Sequence, residues 1–264
     1  MSHFRPWPWP RVLAHRGGGR LAPENTLAAI RRSHALGFRG IEIDARLSRD
    51  EVPVVIHDRT LERTTNGQGE VAAASAAELA RLDAGGWFGP QFRGEPVPTL
   101  ATVLAHCRAH GIWVNLEIKR APGNVARVGE VVARVAAQHY ADALHPDGDR
   151  GESVSREAPL LSSFGVEALQ AARAAAPALP RGWLVSEIPA DWRAQLQRLG
   201  CVSLHVDHER LTPALAQAVK AAGYWLLCYT VDEPERARQL FAWGVDALCT
   251  DRIDLIGPQF AGNP

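Results

Sequence analysis

The feature that most constrains the fold of this chain is a repeated order of short apolar segment, longer alanine-rich segment and glycine. The short apolar segments predict strands, and the alanine-rich segments predict helices. The predicted strands are residues 12–15, 40–47, 52–57, 112–119, 159–164, 182–185, 202–206, 224–230 and 246–249. The predicted helices are residues 24–36, 99–110, 124–138, 166–176, 191–199, 212–222 and 234–243. Five of these helices are followed by a glycine that suits a helix end: Gly37, Gly111, Gly200, Gly223 and Gly244.

Strands and helices that alternate this regularly indicate an α/β protein with a parallel sheet covered on both faces. Eight or nine strands in a chain of 264 residues fit a TIM-type (β/α)8 barrel better than an open doubly wound sheet. We therefore predict a single barrel domain over residues 1–264.

Two places interrupt the alternation. Only residues 48–51 separate the strands at 40–47 and 52–57, which is too short for a helical crossover and predicts a hairpin-like pair. This pair leaves the choice between eight and nine barrel strands open. Residues 59–98, after the third strand, predict a small insertion packed over one mouth of the barrel. Residues 141–157 are polar and predict a loop.

The bulk composition excludes several classes of protein. Lys plus Arg equals Asp plus Glu at 29 each, so no net charge favours nucleic acid or an anionic membrane as a partner. The four cysteines form no CxxC pair, which argues against a zinc ribbon and suits a reducing cytoplasm. No signal peptide is visible, and no segment approaches the roughly 18 apolar residues of a membrane helix. We expect a cytoplasmic protein without an integral membrane segment; its oligomeric state is open.

Chemically reactive side chains gather where the predicted strands end, and in a barrel these ends share one catalytic mouth. The first strand ends at His15 and Arg16, and the third ends at His57. Two further pairs lie two residues apart on their strands, so each pair points to one side. They are Glu42 with Asp44, and Glu117 with Lys119.

This set of side chains favours phosphodiester cleavage over hydride or acyl transfer. Three inward carboxylates favour a hard divalent ion, Mg²⁺ or Ca²⁺, which could polarise a phosphoryl group. Two histidines can take a proton from a nucleophile and give one to a leaving group. Arg16 and Lys119 can neutralise phosphate oxygens. The chain contains no GxSxG, no P-loop and no complete GxGxxG after a strand.

The sequence resembles the glycerophosphodiester phosphodiesterase family of cytoplasmic bacterial type. The resemblance lies in AHRGGGRLAPENTLAAI at 14–30, in GFRGIEIDARLSRDEVPVVIHDRTLERTTNGQG at 37–69, and in LDAGGWFGPQFRGEPVPTL at 82–100. It continues in VNLEIK at 114–119, SSF at 162–164 and CYTVDEPERARQLFAWGVDALCTDR at 228–252. Together these segments span nearly the whole chain in the order that the family has.

The resemblance implies a role for each matching residue and a substrate. It implies hydrolysis of a small glycerophosphodiester to sn-glycerol 3-phosphate and an alcohol, with Mg²⁺ or Ca²⁺ bound and Mn²⁺ as a further candidate. The family's acid and base positions fall on His15 and His57, and its phosphate positions fall on Arg16 and Lys119. Tyr229 takes the aromatic position near the glycerol, where many members have Trp. The implied metal ligands are Glu42, Asp44 and Glu117.

Two alternatives to this function remain open in the sequence. Related barrels cleave lysophospholipids or sphingomyelin in a phospholipase D-like reaction, and a barrel could also bind phosphodiesters without turnover. Several other polar residues are expected to be structural: Asn25 to hold a loop, Asp58 to form a turn, and Asp251 to fix a loop. His205 ends a strand, and the sequence leaves open whether it faces the mouth or packs in the core.

Overall fold

The structure is a computed structural model that describes residues 6–121, 123–144, 155–260 and 262. Its core is a closed barrel of parallel strands, in which β1 pairs with β9 and, through Ala14 opposite Ile41, with β2. The remaining order around the barrel is β8, β7, β6, β5 and β4, and β4 pairs with β2. The barrel strands are β1 (Val12–Ala14), β2 (Gly40–Leu47), β4 (Trp113–Ile118), β5 (Leu160–Ser163), β6 (Arg181–Val185), β7 (Ser203–Asp207), β8 (Trp225–Tyr229) and β9 (Ala247–Thr250). The predicted TIM-type (β/α)8 barrel is therefore confirmed.

Seven helices of the described residues coincide with the seven predicted ones, and an eighth, α2, is a single short turn of helix inside residues 59–98. Threonines begin three of them, because Thr26, Thr99 and Thr212 each accept a backbone N–H through the side chain. The helices are α1 (Leu27–Ala35), α2 (Ala76–Leu79), α3 (Leu100–Ala109), α4 (Val125–His139), α5 (Val166–Ala175), α6 (Trp192–Leu199), α7 (Pro213–Ala221) and α8 (Pro234–Ala242).

The strand β3 (Pro53–Val55) lies outside the closed barrel and decides the strand count. It runs antiparallel to the end of β2, with Ala45 opposite Val55 and Leu47 opposite Pro53. Only residues 48–52 connect the two strands, so the chain reverses direction instead of crossing over a helix. The barrel therefore has eight strands. The additional strand, β3, is not one of them and forms a hairpin-like pair with the last residues of β2.

Residues 59–98 pack around a small apolar cluster of their own, separate from the main core. Val54 and Ile56, which flank Val55 of β3, point into this small cluster, whereas Val55 points into the main core. The other buried members are Leu61, Val71, Leu79, Ala84 and Val97. This excursion, residues 53–98, carries β3 and the insertion together. It is tied to the barrel side by Glu95, which accepts hydrogen bonds from the backbone of Ala28 and the side chain of Arg31.

Tryptophans close the end of the barrel opposite the mouth. Trp9 stacks on Trp113 with ring centroids 4.8 Å apart, and it meets Trp225 edge-on at 5.2 Å. Trp7 contacts the same three rings from below. These large rings fill the barrel interior at this end. This aromatic floor leaves the inward positions nearer the mouth for the functional residues.

Two further predictions concern the chain outside the barrel core. The loop predicted at 141–157 lies largely at 145–154, outside the described residues, and its first residues form a short 3₁₀ turn, Ala141–Ala143. Across the described part of the chain, no helix combines the length and the apolar character that crossing a membrane requires.

Candidate active site

His15 stands directly after β1 in a tight 3₁₀ turn, His15–Gly17. Arg16 in this turn has a φ of 50°, so its backbone N–H points inward and donates to Glu42 at 3.1 Å. The imidazole of His15 is held from one side by Asp251, whose Oδ1 lies 2.7 Å from Nδ1. Its other nitrogen, Nε2, lies 3.8 Å from Oε2 of Glu42. Burial would lower the pKa of His15, but the hydrogen bond to Asp251 and the charge of Glu42 outweigh it, so the pKa is raised.

Three carboxylates form a compact cluster at the mouth. Glu42 and Asp44 come from β2 and Glu117 from β4, and one oxygen atom of each lies within 4.8 Å of the others. The parallel register places Asp44 directly opposite Glu117, which explains why residues 73 positions apart meet. Burial and the neighbouring charge of Asp44 raise the pKa of Glu42 to about 8, and the same two causes raise the pKa of Glu117.

Asp44 is the member of the cluster that stays charged most readily. Burial opposes its ionisation, but the positive charges of Lys119, His57 and Arg16 outweigh burial and hold its pKa well below the usual range. Nζ of Lys119 lies 3.2 Å from Asp44 and 2.8 Å from Glu117. Asn25, which has a φ of 59°, donates to Asp44 Oδ2 at 2.8 Å and accepts the Asp44 backbone N–H at 3.1 Å.

The carboxylate cluster suits a hard divalent cation. Its ligand atoms are all oxygen, which Mg²⁺, Ca²⁺ and Mn²⁺ prefer over softer donors. Burial and the mutual repulsion of the carboxylates raise the pKa values of Glu42 and Glu117, and a bound cation would relieve this repulsion. Glu42, Asp44 and Glu117 would hold such an ion, and a bound ion would supply Lewis-acid polarisation of a phosphoryl oxygen.

His57 reaches the same mouth by a different route from the other strand-end residues. The rule that parallel barrel strands end at the mouth does not explain the position of His57, because β3 is antiparallel. Since β3 runs back along β2, the backbone N–H of Ile56 donates to the carbonyl of Asp44 at 3.0 Å, and His57 follows beside the carboxylates. Burial and the charges of Lys119 and Arg16 lower the pKa of His57, against the charge of Asp44.

A second aspartate holds the imidazole of His57. Asp58 Oδ1 lies 2.7 Å from His57 Nδ1, and Arg63 donates to both oxygens of Asp58. Arg63 also donates to both oxygens of Glu24, which accepts a further hydrogen bond from Arg16 at 2.7 Å. This chain of ion pairs joins the excursion to the loop after β1. In each histidine an aspartate thus holds Nδ1, and Nε2 is the nitrogen that could exchange a proton.

Two of the predicted substrate residues, Arg16 and Tyr229, also make contacts within the protein. The guanidinium of Arg16 is paired with Glu24 and comes within 4.0 Å of Asp44, so it braces the carboxylates. Its Nε, however, is buried without a partner. The hydroxyl of Tyr229 donates to the carbonyl of Val185 at 2.9 Å, and its ring meets Phe164 edge-on at 6.0 Å. Tyr229 and Phe164 form an aromatic wall beside Glu117.

The structure brings all eight predicted site residues to one mouth, and it gives further roles to three that were expected to be structural. Asp251 and Asp58 orient the two histidines, and Asn25 fixes Asp44. For Asp58 the signal was present, because the adjacent pair His57-Asp58 can close a local hydrogen bond. Asp251 is 236 positions from His15, and the sequence offered no spacing that links them.

Comparison with known proteins identifies the family. The profile of the glycerophosphoryl diester phosphodiesterase family matches residues 15–255 of this chain. The chain belongs to that family. A curated member from Caldanaerobacter subterraneus, a glycerophosphodiester phosphodiesterase, is 34% identical over 91% of this chain and 93% of its own length. A putative glycerophosphodiester phosphodiesterase from Bacillus subtilis is 32% identical over 93% of this chain and 96% of its own.

Solved structures of the family have the same fold. The Oleispira antarctica phosphodiesterase, solved with the product sn-glycerol-3-phosphate, superimposes with a TM-score of 0.83 at 34% identity, over 96% of each chain. A glycerophosphodiester phosphodiesterase from Agrobacterium tumefaciens superimposes with a TM-score of 0.75 at 30% identity, over 96% of this chain and all of the other. The protein described here is therefore an enzyme, a glycerophosphodiester phosphodiesterase of the barrel type.

Proposed function

We propose that this glycerophosphodiester phosphodiesterase hydrolyses small glycerophosphodiesters to sn-glycerol 3-phosphate and an alcohol, in a reaction that requires a divalent cation. One observation carries this proposal: a buried cluster of three carboxylates lies between two histidines that aspartates orient. The product named for the Oleispira antarctica relative supports the same substrate class. The cation would be Mg²⁺ or Ca²⁺, with Mn²⁺ as a further candidate, on Glu42, Asp44 and Glu117.

The proposed chemistry uses His15 and His57 as a proton-transfer pair. Asp251 and Asp58 each fix Nδ1 of one imidazole, so Nε2 is the nitrogen that exchanges a proton with substrate oxygens. Because the two rings belong to the loop after β1 and to the excursion, they reach the site from different segments of the chain. One ring can take a proton from the attacking group while the other gives one to the leaving alcohol.

Arg16, Lys119 and Tyr229 are proposed to bind the substrate around this pair. Lys119 has three donors, of which the contacts with Asp44 and Glu117 use only two. The third can meet a phosphate oxygen, and the guanidinium of Arg16 can meet another. The aromatic wall of Tyr229 and Phe164 offers an apolar surface for the carbon atoms of the glycerol group.

The cellular compartment and the domain organisation of the enzyme are also proposals. The four cysteines are free and buried, which suits a cytoplasmic enzyme in a reducing compartment. We propose that residues 1–264 act as one domain on a small-molecule substrate, without nucleic acid as a partner.

The deciding experiment measures release of sn-glycerol 3-phosphate from glycerophosphocholine by the purified protein with Mg²⁺, Ca²⁺ or Mn²⁺. We expect activity that a chelator abolishes and that His15→Ala lowers by roughly 10²- to 10⁴-fold, the usual contribution of a proton-transfer group. His110→Ala, at the exposed end of α3, is the matched control and should keep full activity.

Lysophosphatidylcholine and sphingomyelin are the comparison substrates for the phospholipase D-like alternative. Faster turnover of either lipid than of glycerophosphocholine would reverse the substrate class. Binding without turnover in all three metals would instead support a non-catalytic barrel, although both histidines and all three carboxylates are in place.

A further inference from the structure

A small polar chamber lies inside the barrel, between the aromatic floor and the carboxylate cluster. Its volume is about 40 Å³, and Glu42 and Glu117 form part of its lining. Three other lining residues each have a buried polar atom without a hydrogen-bond partner in the protein: Oδ1 of Asn115, Oγ of Ser162 and Nδ1 of His205. The remaining lining residues are His15, the aromatic wall of Phe164 and Tyr229, and the apolar side chains of Leu184, Leu227 and Cys249, so the chamber opens directly onto the proposed active site.

The strand register explains why these three groups face one space. Asn115 lies two residues before Glu117 on β4, and Ser162 on β5 stands opposite Glu117, so all three positions point into the barrel. On the far side, Gly182 of β6 makes room for His205. A Cβ atom at position 182 would lie 2.4 Å from Nε2 of His205, so only glycine allows the imidazole its place.

Leaving these groups without a partner would be costly. A buried polar atom that lacks a hydrogen bond has lost its bonds to water without replacement, and three such atoms line one cavity. His205 Nε2 already contacts Ser203 Oγ at 2.9 Å, so only Nδ1 is directed to the chamber. Burial lowers the pKa of His205 to about 3, and its ring is therefore neutral, with one nitrogen as donor and the other as acceptor.

The chemistry of the chamber selects its occupant. Glu42 and Glu117 exclude an anion, and the cation proposed for these carboxylates cannot donate a hydrogen bond to Asn115 Oδ1 or accept one from Ser162. A hydroxyl oxygen both donates and accepts, so it can donate to Asn115 Oδ1 and complete the bonds of Ser162 and His205. About 10–15 Å³ is enough for one water molecule, so the chamber has room for one or a few oxygen atoms.

We propose that this chamber is a binding site for a hydroxyl oxygen, held by Asn115, Ser162 and His205, and that its occupant positions Glu42 and Glu117 from below. In the ligand-free protein the occupant is water. In the substrate complex it is the same water or a hydroxyl of the glycerol group, and only this last case rests on the function proposed above. His205 is thereby a positioning residue, because it acts on the site through the occupant.

Two crystal structures test the occupancy, one of the free protein and one with sn-glycerol 3-phosphate. We expect an ordered oxygen within about 3.2 Å of at least two of the three atoms, in both crystals. A water retained beside the ligand identifies water as the occupant, and a ligand hydroxyl in its place identifies the glycerol group. An empty chamber, or three side chains turned to partners in the protein, would overturn the proposal whether or not the enzyme is active.

Paired variants test the positioning role through the affinity for Mn²⁺ or Mg²⁺ alone, measured by calorimetry without substrate. Ser162→Ala should weaken metal binding by roughly tenfold or more, as loss of groups that support metal ligands usually does. Ser163→Ala is the control, since Ser163 is equally buried on the same strand but donates to the carbonyl of Ile118, away from the chamber.

Two variants of His205 test the roles of its two ring nitrogens separately. His205→Gln keeps a polar atom near Ser203 and removes the group that faces the chamber, so it should weaken metal binding as Ser162→Ala does. His205→Asn keeps an atom near the position of Nδ1 and should restore most of the affinity. Equal metal affinity in the wild type, Ser162→Ala and His205→Gln would refute the positioning role, provided that circular dichroism shows each variant to be folded.

Discussion

The contact between Asp251 and His15 gives a prediction that separates charge from geometry. In Asp251→Asn the side chain keeps its shape, and its amide oxygen can still accept the Nδ1–H of His15, but the negative charge is gone. The loop itself should stay in place, because its backbone is fixed independently: the backbone N–H of Arg20 donates to the carbonyl of Asp251 at 2.8 Å, and the N–H of Asp251 donates to Asp232.

The size of the effect follows from the contacts of His15. Burial lowers the pKa of this imidazole, and the hydrogen bond to Asp251 and the charges of Glu42 and Asp251 outweigh it. A hydrogen bond to a charged group contributes about 1.5–3 kcal/mol, and one pKa unit corresponds to about 1.36 kcal/mol. Removing the charge should therefore lower the pKa of His15 below its wild-type value. If the same stabilisation acts in the transition state, kcat falls about 10- to 100-fold.

Two assays check these figures. NMR titration of the His15 ring in chelator-treated protein gives its pKa without a metal on Glu42, and release of sn-glycerol 3-phosphate gives kcat. Asp254→Asn is the matched control, since it removes the same charge from the same segment, where Asp254 pairs with Arg252 at 2.9 Å. A His15 pKa and a kcat that match the wild type in Asp251→Asn would refute the claim that this aspartate tunes the imidazole.

Three further predictions address the metal, the chamber and the floor. Glu117→Gln should abolish the rise in melting temperature that Mg²⁺ or Mn²⁺ produces in the wild type, measured by differential scanning fluorimetry with and without metal. Gly182→Ala should cost about 1–3 kcal/mol of unfolding free energy in urea titrations, because the new methyl group overlaps His205. Trp113→Ala should cost about 3–5 kcal/mol in the same titrations. At a temperature where the variant is folded, kcat should stay near the wild-type value, since Trp113 begins β4 at the end of the barrel opposite Glu117.

How much of the site was predictable depends on whether a position is set by one strand or by several. Glu42 with Asp44 and Glu117 with Lys119 were found from alternation alone, because a barrel strand sends every second side chain to the interior. His57 was found for the wrong reason, since the rule for parallel strand ends does not describe β3. The hairpin itself was predictable from the four residues that separate the two strands.

The rest of the site required the folded chain. Asp251 meets His15 only because β9 pairs with β1 and closes the barrel, and no local pattern records that pairing. Asn115, Ser162 and His205 belong to three different strands, and their common chamber depends on the register of each pair and on Gly182. Side chains without a predicted role in the site thus meet beside it when distant strands are brought side by side.

The separate apolar cluster of the excursion gives the segment that carries His57, one of the two proposed catalytic histidines, a stability of its own. Val54, Ile56 and Leu61 pack in this cluster and only Val55 of β3 enters the main core, so we expect residues 53–98 to open at a lower free energy than the barrel. Such an opening would withdraw His57 and leave His15 and the carboxylates in place. Heating should therefore inactivate the enzyme before the barrel unfolds, and amide hydrogen exchange should be faster in β3 than in β4, although both strands pair with β2.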